Sequence, residues 1–480
     1  MAMALLDIVR TGVRTRYPPM LRSLFILAIL VPGFFAALRD RYAALLMYLW
    51  FALFRPQDWF WVDVTGLRLS LVLGIVLFVP AIGTGAFPNV THPLSAGMVL
   101  FLCSSLVSQL GAVRPDIGWQ WIDFLARLFL ACTLLVTLVS DSKRLVGVVA
   151  IIGGSLAFHA AKAGLAFIVG GGTRFADGLA GAFVDNNGYA LGTVMIIPLL
   201  LVTAQNIRLL FPKERPLQMW ARRGFYAAIP LCMFAVVGTY SRGGFLALSA
   251  ATLTFLLLQR RRFTSLTILL AAVTMILAVV PIPQSYLDRL QTIRTYDAVG
   301  DESALSRPHF WQVGIRMGLA KPFGVGLRQY EAAYDQYDFL HGRFGRNRAV
   351  HSAHVQVFAE LGFFGAAVWT AMFAYAWFVC VRIRARSRQE QLTPEQQRLL
   401  FTIANALLTS MAAFIVGGAF LALALNDITW LSFAMIASAD RLSRQMCAQP
   451  VADPVIVRPA AIPLAFQVVD TFSEARGGRP

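Results

Sequence analysis

Residues 346–381 read RNRAVHSAHVQVFAELGFFGAAVWTAMFAYAWFVCV, a basic, histidine-bearing segment followed by a long apolar run. Within 355–381, Glu360 is the only Asp, Glu, Lys or Arg. At a rise of ~1.5 Å per residue, a helix over this run is roughly 40 Å long, more than the ~30 Å hydrocarbon core of a bilayer. The run therefore predicts a membrane-spanning helix, with His351 and His354 at its entrance.

Apolar runs of this kind recur along the whole chain. It has 480 residues, is 58% hydrophobic and only 14% charged, and has a mean hydropathy of +0.64. A soluble globular protein carries roughly 25% charged residues, which it needs to cover its surface. We therefore predict an all-α polytopic membrane protein with about twelve transmembrane helices and one large periplasmic loop region.

The loops divide the chain into five regions. Basic loops mark the cytoplasmic side of a membrane protein, and 208–224, 259–263 and 382–398 are the most basic here. Alternation then places the long polar stretch before His351 on the outer side. The predicted regions are a polar, basic N-terminal segment (1–21), transmembrane helices (22–280), a periplasmic substrate-binding region (281–353), C-terminal transmembrane helices (354–440) and a disordered cytoplasmic tail (441–480).

The net charge of +17 has a common explanation and a more specific one. Cytoplasmic loops of membrane proteins retain an excess of Lys and Arg, which accounts for much of it. Nucleic-acid binding is a poor alternative in a chain with so little soluble mass. The remaining positive charge is suited to an anionic substrate. The five cysteines form no CxxC and four of them lie inside apolar runs, so we predict neither disulfides nor a zinc site.

His351 and His354 are three residues apart and occupy neighbouring positions of a helix that begins near Ser352. Zinc would need a third ligand, and Glu360 lies on the opposite face of that helix, so a one-helix metal site fails on geometry. A histidine at a helix N-terminus is held neutral by the helix dipole, as a general base must be. The alternative is a structural histidine that bonds a backbone carbonyl at the interface.

Arg242 lies in the sequence TYSRGG (239–244), between two apolar runs with almost no loop. A charge at the membrane boundary is costly and marks either a function or a buried partner. Gly243 and Gly244 allow the backbone to turn and a large ligand to approach closely. The alternative is an arginine that extends its charged head to the interface as an anchor.

Three further charged residues complete a candidate anion site on the outer side. Arg174 lies in a glycine-rich loop, and Arg307 precedes Pro308 at the start of an amphipathic helix predicted over 306–326, with its end near Lys321. Asp185 opens an Asp-Asn-Asn cluster that either supports the site or caps the next helix. Guanidinium groups suit phosphate because their forked donors bind two oxygens at once.

The order of four motifs resembles the O-antigen ligase and O-antigen polymerase family of bacterial envelopes, most closely the O-glycosylation ligases associated with exosortases. The resemblance covers roughly residues 20–440. The motifs are DNN before a span, TYSRGG between two spans, SALSRPHFWQ with KPFGVG, and HSAHVQVFAELGFFG after a long outer loop.

The resemblance implies a metal-independent glycosyltransferase without cofactors, in the bacterial inner membrane with its active site facing the periplasm. The donor would be a glycan on undecaprenyl diphosphate, and the acceptor the lipid A-core oligosaccharide. Carried over by position, the catalytic histidine is His351 and the diphosphate-binding arginines are Arg242 and Arg307.

The roles of several residues, and the choice between related activities, stay open from the sequence alone. Arg174 is expected to join the diphosphate site, and His354, Asp185 and Tyr240 to support it. The chain departs from the commoner family pattern after His351, where His354 stands in the sequence HSAHV. An O-antigen polymerase or a protein O-glycosylation ligase with the same donor is the nearest alternative. A transporter of lipid-linked sugars would instead place its polar sites near the bilayer midplane.

Overall fold

The computed structural model describes residues 19–172, 185–267 and 306–448. Several predicted features lie outside these ranges: Arg174, most of the N-terminal segment, most of an apolar run near 264–280, the first part of the periplasmic region, and most of the C-terminal tail. Within the described ranges every regular element is helical.

The helices follow the apolar runs of the sequence closely. They are α1 (Pro19–Arg39), α2 (Arg41–Phe54), α3 (Leu69–Gly83), α4 (Pro93–Gln109), α5 (Pro115–Leu138), α6 (Ser142–Val169), α7 (Asn186–Gln205), α8 (Ile207–Leu210), α9 (Arg215–Gly238), α10 (Arg242–Leu258), α11 (Arg307–Ala320), α12 (Tyr330–Tyr337), α13 (Ala353–Arg386), α14 (Pro394–Gly418) and α15 (Asp427–Ala448).

Seven helical segments in the described ranges are long and apolar enough to cross a membrane, namely α1, Thr65–Gly83 (α3 with the short helical turn before it), α5, α6, α7, α13 and α14. Three more apolar helices, α2, α4 and α10, are shorter. The chain is therefore an all-α, multi-pass membrane protein, as its composition predicts. The total of about twelve spans stays a prediction. Helix α15 continues to Ala448, so the predicted start of a disordered tail at 441 is wrong by several residues.

Local chemistry fixes where these helices begin. The side chains that accept a backbone N–H of the first turn belong to Asp40, Asp141, Asp185, Ser241, Ser352 and Thr393. Such a cap satisfies a donor that would otherwise have no partner at the helix start. Three of these caps, at Asp185, Ser241 and Ser352, belong to the motifs that mark the candidate site.

Helix α7 lies at the centre of the bundle and is buried along nearly its whole length. It is hydrophobic all round, and α6, α9, α10 and α14 pack against it. Small residues bring these helices close: a Cβ at Gly417 would approach the Leu191 side chain to 2.6 Å, and one at Gly244 would approach Cβ of Ala190 to 2.6 Å. Close backbone approach of this kind drives helix association in lipid.

The segment 306–352 has a small hydrophobic core of its own. It is built from α11, α12 and the loops beside them, with Phe310, Met317, Tyr330 and Tyr334 buried. The Tyr330 hydroxyl donates to the Phe310 carbonyl at 2.6 Å and so joins the two helices. Helix α11 ends at Ala320, as its sequence predicts, and packs against α13.

Helix α13 is kinked at Gly362, whose φ of 64° and ψ of −159° are not helical. A Cβ there would collide with the carbonyl oxygen of Pro322. That carbonyl accepts the N–H of Phe363 at 3.0 Å, and the Glu360 carbonyl accepts the N–H of Gly326 at 3.1 Å. The kink thus holds residues 322–326 against the first turns of α13 and brings the KPFGVG and ELGFFG motifs into contact.

Candidate active site

Two of the predicted motifs meet where α7 and α10 begin. The side-chain amide of Asn186 donates to the carbonyl of Thr239 at 2.9 Å. The hydroxyl of Ser241 donates to Oδ1 of Asn187 at 2.7 Å. The same hydroxyl accepts the N–H of Gly244 at 3.0 Å and caps α10. The DNN and TYSRGG motifs are therefore bonded to each other, and Arg242 follows the residue that joins them.

The other two motifs reach the same end of the bundle. Nε1–H of Trp311, on α11, points to the backbone oxygen of His351 at 3.5 Å. The Trp311 ring also lies 6.1 Å from the ring of Phe420, in the connection between α14 and α15. All four stretches predicted from the sequence are thus brought together by the fold.

A cavity of about 510 Å³ opens between the DNN motif, the start of α13, the beginning of α12 and the connection between α14 and α15. That volume is within the usual ~300–1,000 Å³ range of small-molecule sites. Its polar lining comprises Trp121, Asp185, Asn187, Arg328, Glu331, His351, Gln356 and Asn426. A second cavity of about 250 Å³ adjoins it and shares Trp121, Arg328, Glu331, Gln356 and Ala422 with it.

His351 faces the larger cavity and sits just before the helix cap of α13. Its φ of 49° is unusual for a residue other than glycine and is typical of functional positions. Burial lowers the pKa of His351, and the positive charges of Arg307 and Arg348 lower it further, while the carboxylate of Asp185 acts in the opposite direction. The ring is therefore held neutral, the state in which it accepts a proton.

His354 has a different role. Its Nδ1 accepts the indole N–H of Trp369 at 3.1 Å, and its Nε2 lies 3.0 Å from the carbonyl of Ile415. An indole nitrogen can only donate and a carbonyl can only accept, so His354 is neutral with its proton on Nε2. Both ring nitrogens are occupied by contacts within the helix bundle. His354 thus joins α13 to α14, and the expectation that it supports the site stays a prediction.

His309 is likewise structural. Its Nε2 lies 2.9 Å from Oδ1 of Asp338, and both side chains are buried. Burial alone would raise the pKa of Asp338, but the backbone amides of Gly342 and Leu340 and the His309 ring hold it below its ordinary value. Of the histidines in and beside the outer segment, His351 is the one that lines the cavity.

Asp185 and Tyr240 both stabilise the backbone around the site. Asp185 accepts the N–H groups of Asn187 and Gly188 at 2.9 and 3.0 Å, so the prediction that it caps a helix is confirmed. It also lines the cavity and acts electrostatically on His351. The hydroxyl of Tyr240 donates to the carbonyl of Gly172 at 3.0 Å.

The two predicted arginines in the described ranges, Arg242 and Arg307, differ in their relation to His351. Arg307 is the first residue of α11, half-buried, and close enough to His351 to influence its charge. Arg242 is the first residue of α10 and is also half-buried. Neither is among the described residues that line the His351 cavity. Gly244 packs against α7 rather than leaving space for a ligand, which corrects that expectation.

Glu360 and Arg328 form a connection that sequence reasoning missed. The buried carboxylate of Glu360 accepts the backbone N–H of Arg328 at 2.9 Å and that of Tyr330 at 3.4 Å. Gln356 also donates to this carboxylate, at 3.2 Å. The Arg328 guanidinium lies over the Trp121 ring, 4.8 Å from its centroid. These contacts join α5 and α13 to the segment 306–352. Because the residues are far apart in sequence, no local pattern could have revealed the contacts.

Within the described ranges, no group of three or more His, Cys, Asp or Glu residues is arranged to hold a metal ion. Glu360 faces the adjoining cavity, and its oxygens are occupied by backbone and amide donors. The polar lining of the cavity consists of His351, the Arg328 guanidinium, the carboxylates of Asp185 and Glu331, the Trp121 indole and the amide side chains of Asn187, Gln356 and Asn426.

These features define a class: a helical, multi-pass membrane protein with a polar cavity at one end of its bundle and a neutral histidine in the cavity wall. Comparison with known families is more specific. Residues 226–370 match the family model described as O-Antigen ligase, and residues 21–207 match a family of unknown function. No curated protein matches the chain.

The chain thus contains a domain of the O-antigen ligase family at 226–370, as the motifs predict. That range includes Arg242, Arg307 and His351. The closer likeness to exosortase-associated ligases stays a prediction. The match over 226–370 supports an activity of the O-antigen ligase or polymerase type.

Proposed function

We propose that the protein is an O-antigen ligase: a metal-independent, inverting glycosyltransferase that moves a glycan from undecaprenyl diphosphate to the lipid A-core oligosaccharide. The reaction would take place on the periplasmic face of the bacterial inner membrane. The observation that carries this proposal is the position of His351, a histidine held neutral in the wall of a polar cavity at one end of a membrane helix bundle.

In the proposed step, an acceptor sugar hydroxyl attacks the anomeric carbon of the donor glycan. A new bond forms between that oxygen and the anomeric carbon, and the bond from the anomeric carbon to the diphosphate oxygen breaks. His351 takes the hydroxyl proton as general base. The leaving undecaprenyl diphosphate keeps the electron pair of the broken bond. Direct attack from the opposite side inverts the anomeric centre.

Arg242 and Arg307, with Arg174, are proposed to bind the leaving diphosphate. Arg242 and Arg307 each begin a helix at the end of the bundle where His351 lies, so helix dipole and guanidinium charge favour an anion in the same place. Fixed positive charge that stabilises a good leaving group removes the need for a metal ion. The lipid chain of the donor would remain in the membrane while its diphosphate stays at headgroup level.

A polymerase, whose acceptor is another lipid-linked glycan, uses the same donor and the same chemistry, and so does a protein O-glycosylation ligase. The ligase is proposed first because it is the activity that names the matching family. Transport of a lipid-linked sugar is less well supported, because the candidate residues gather at one end of the bundle and transporters bind near the midplane.

Two experiments test the proposal. Purified protein should transfer glycan from undecaprenyl diphosphate to lipid A-core, and the His351→Ala variant should not. In cells, loss of a ligase leaves lipopolysaccharide as bare core on a gel, whereas loss of a polymerase leaves core plus one repeat unit. Normal lipopolysaccharide in the deletion strain would contradict both activities.

A further inference from the structure

The polar lining of the His351 cavity divides into side chains that the fold already uses and side chains that remain available. Asp185 accepts two backbone N–H groups, and Asn187 accepts the Ser241 hydroxyl. Gln356 donates to Glu360, and Asn426 bonds Leu423 and Thr429. These four hold the cavity walls in place.

Three polar lining groups remain available to a ligand: the His351 ring, the Arg328 guanidinium and the Glu331 carboxylate. Within the described residues, none of these three groups forms an ion pair or a hydrogen bond through its side-chain polar atoms. They supply a proton acceptor, a cationic donor and an anionic acceptor around one space.

Arg328 is fixed in position from both ends. Its backbone has a φ of 58° and is held by the buried Glu360 carboxylate. Its guanidinium carbon lies over the Trp121 ring, 4.8 Å from the centroid. A preorganised side chain loses little entropy when it binds, so it contributes more to affinity than a free surface arginine. Arg328 and Glu331 also line the adjoining smaller cavity, so they stand where the two spaces meet.

The charges indicate which ligand fits. Arg328 and Glu331 cancel each other, His351 is neutral, and the charge of Asp185 is offset by the N-terminus of α7. An anion in contact with the cavity wall would meet the carboxylates of Glu331 and Asp185, whereas Arg307 and Arg348, which also act on His351, do not line the cavity. A sugar ring instead offers neighbouring hydroxyls, each of which both donates and accepts. We infer that Arg328 and Glu331 form a subsite for an uncharged hexose, next to the hydroxyl-activating face of His351.

The identification of this hexose as the acceptor rests on the proposed function, because a general base must reach the proton that it removes. The inference that a sugar binds at Arg328 and Glu331 does not depend on the proposed function. Arg242 and Arg307 do not line this cavity. The cavity would therefore hold the acceptor sugar, while the two arginines would bind the diphosphate of the donor.

Binding can be measured by saturation-transfer NMR on the full-length protein in detergent, with methyl glucoside and methyl glucuronide as probes. The parent protein should bind methyl glucoside and prefer it to the glucuronide. Arg328→Gln and Glu331→Gln should reduce the glucoside signal several-fold, and Glu331→Gln should also improve relative binding of the glucuronide. Arg316→Gln is the matched control, since Arg316 stacks on Phe339 in the same outer segment but does not line the cavity.

Unfolding temperatures identify any variant that fails to fold, and Arg328→Lys, which keeps the charge, replaces Arg328→Gln in that case. Equal glucoside signals in the parent and in both cavity variants would overturn the subsite. If the parent protein prefers the glucuronide, the inference that the ligand of the subsite is uncharged would be overturned. If the binding pattern holds but His351→Ala transfers glycan normally, the subsite stands and the proposed function fails.

Discussion

The indole N–H of Trp369 donates to Nδ1 of His354 at 3.1 Å, and neither residue lines the cavity that contains His351. This bond joins the two halves of α13 on either side of the kink at Gly362, because His354 precedes the kink and Trp369 follows it. The two histidines of the HSAH motif therefore differ in their contacts, and substituting each of them should have a different effect on the protein.

His351→Ala should lower turnover by ~10²-fold or more, the scale of general-base catalysis, with little change in thermal stability. His354→Ala should lower the unfolding temperature, because it removes the hydrogen bonds to the Trp369 N–H and the Ile415 carbonyl, each of which contributes roughly 0.5–1.5 kcal/mol. Turnover and thermal unfolding of both variants check this. Equal losses of turnover at unchanged stability would mean that the two histidines act as a unit.

Arg242→Lys and Arg307→Lys should fold and insert normally but transfer glycan poorly. Lysine keeps the positive charge but lacks the planar fork that binds two phosphate oxygens. Their affinity for undecaprenyl diphosphate, measured without acceptor, should fall as well. Arg316→Lys serves as control outside the site. An Arg242→Lys variant that binds this lipid and transfers like the parent would make Arg242 a membrane anchor.

The pH dependence of kcat/KM should report the environment of His351. Its pKa is lowered by burial and by Arg307 and Arg348, so activity should be lost as the pH falls through a midpoint below the ordinary histidine value of about 6.5. Arg348→Gln removes a positive neighbour and should move this midpoint up. Asp185→Asn removes a negative neighbour, keeps the helix cap and should move it down. Shifts in the same direction would assign the acid limb to another group.

Excess EDTA should leave transfer by the purified protein intact. The site offers a neutral histidine and arginines, and fixed positive charge replaces a metal at the diphosphate. Transfer measured with and without chelator tests this. Activity that is lost with EDTA and restored by zinc or magnesium would require a different mechanism.

Gly362→Ala should destabilise the protein or disturb the outer segment. A non-glycine residue at this φ and ψ is strained by roughly 1–3 kcal/mol, and the new Cβ would also collide with the Pro322 carbonyl. Gly342→Ala is the matched control: its φ of 87° is also positive, but a Cβ there meets nothing within 4 Å. Thermal unfolding should show the larger loss for Gly362→Ala, and equal losses would mean that backbone strain alone matters at both positions.

The sequence by itself determined the membrane helices, the cap at Asp185, the start of α13 near Ser352, the end of α11 and the position of the family motifs. These features depend on local periodicity, on the length of apolar runs and on residues a few positions apart. The tertiary structure decided which histidine faces the cavity, that Gly244 packs against α7, and that Arg328, Glu331 and Trp121 belong to the site. Those roles depend on which side chains meet across helices distant in sequence, and a hydrogen bond such as that between Glu360 and Arg328 leaves no periodic signal in the chain.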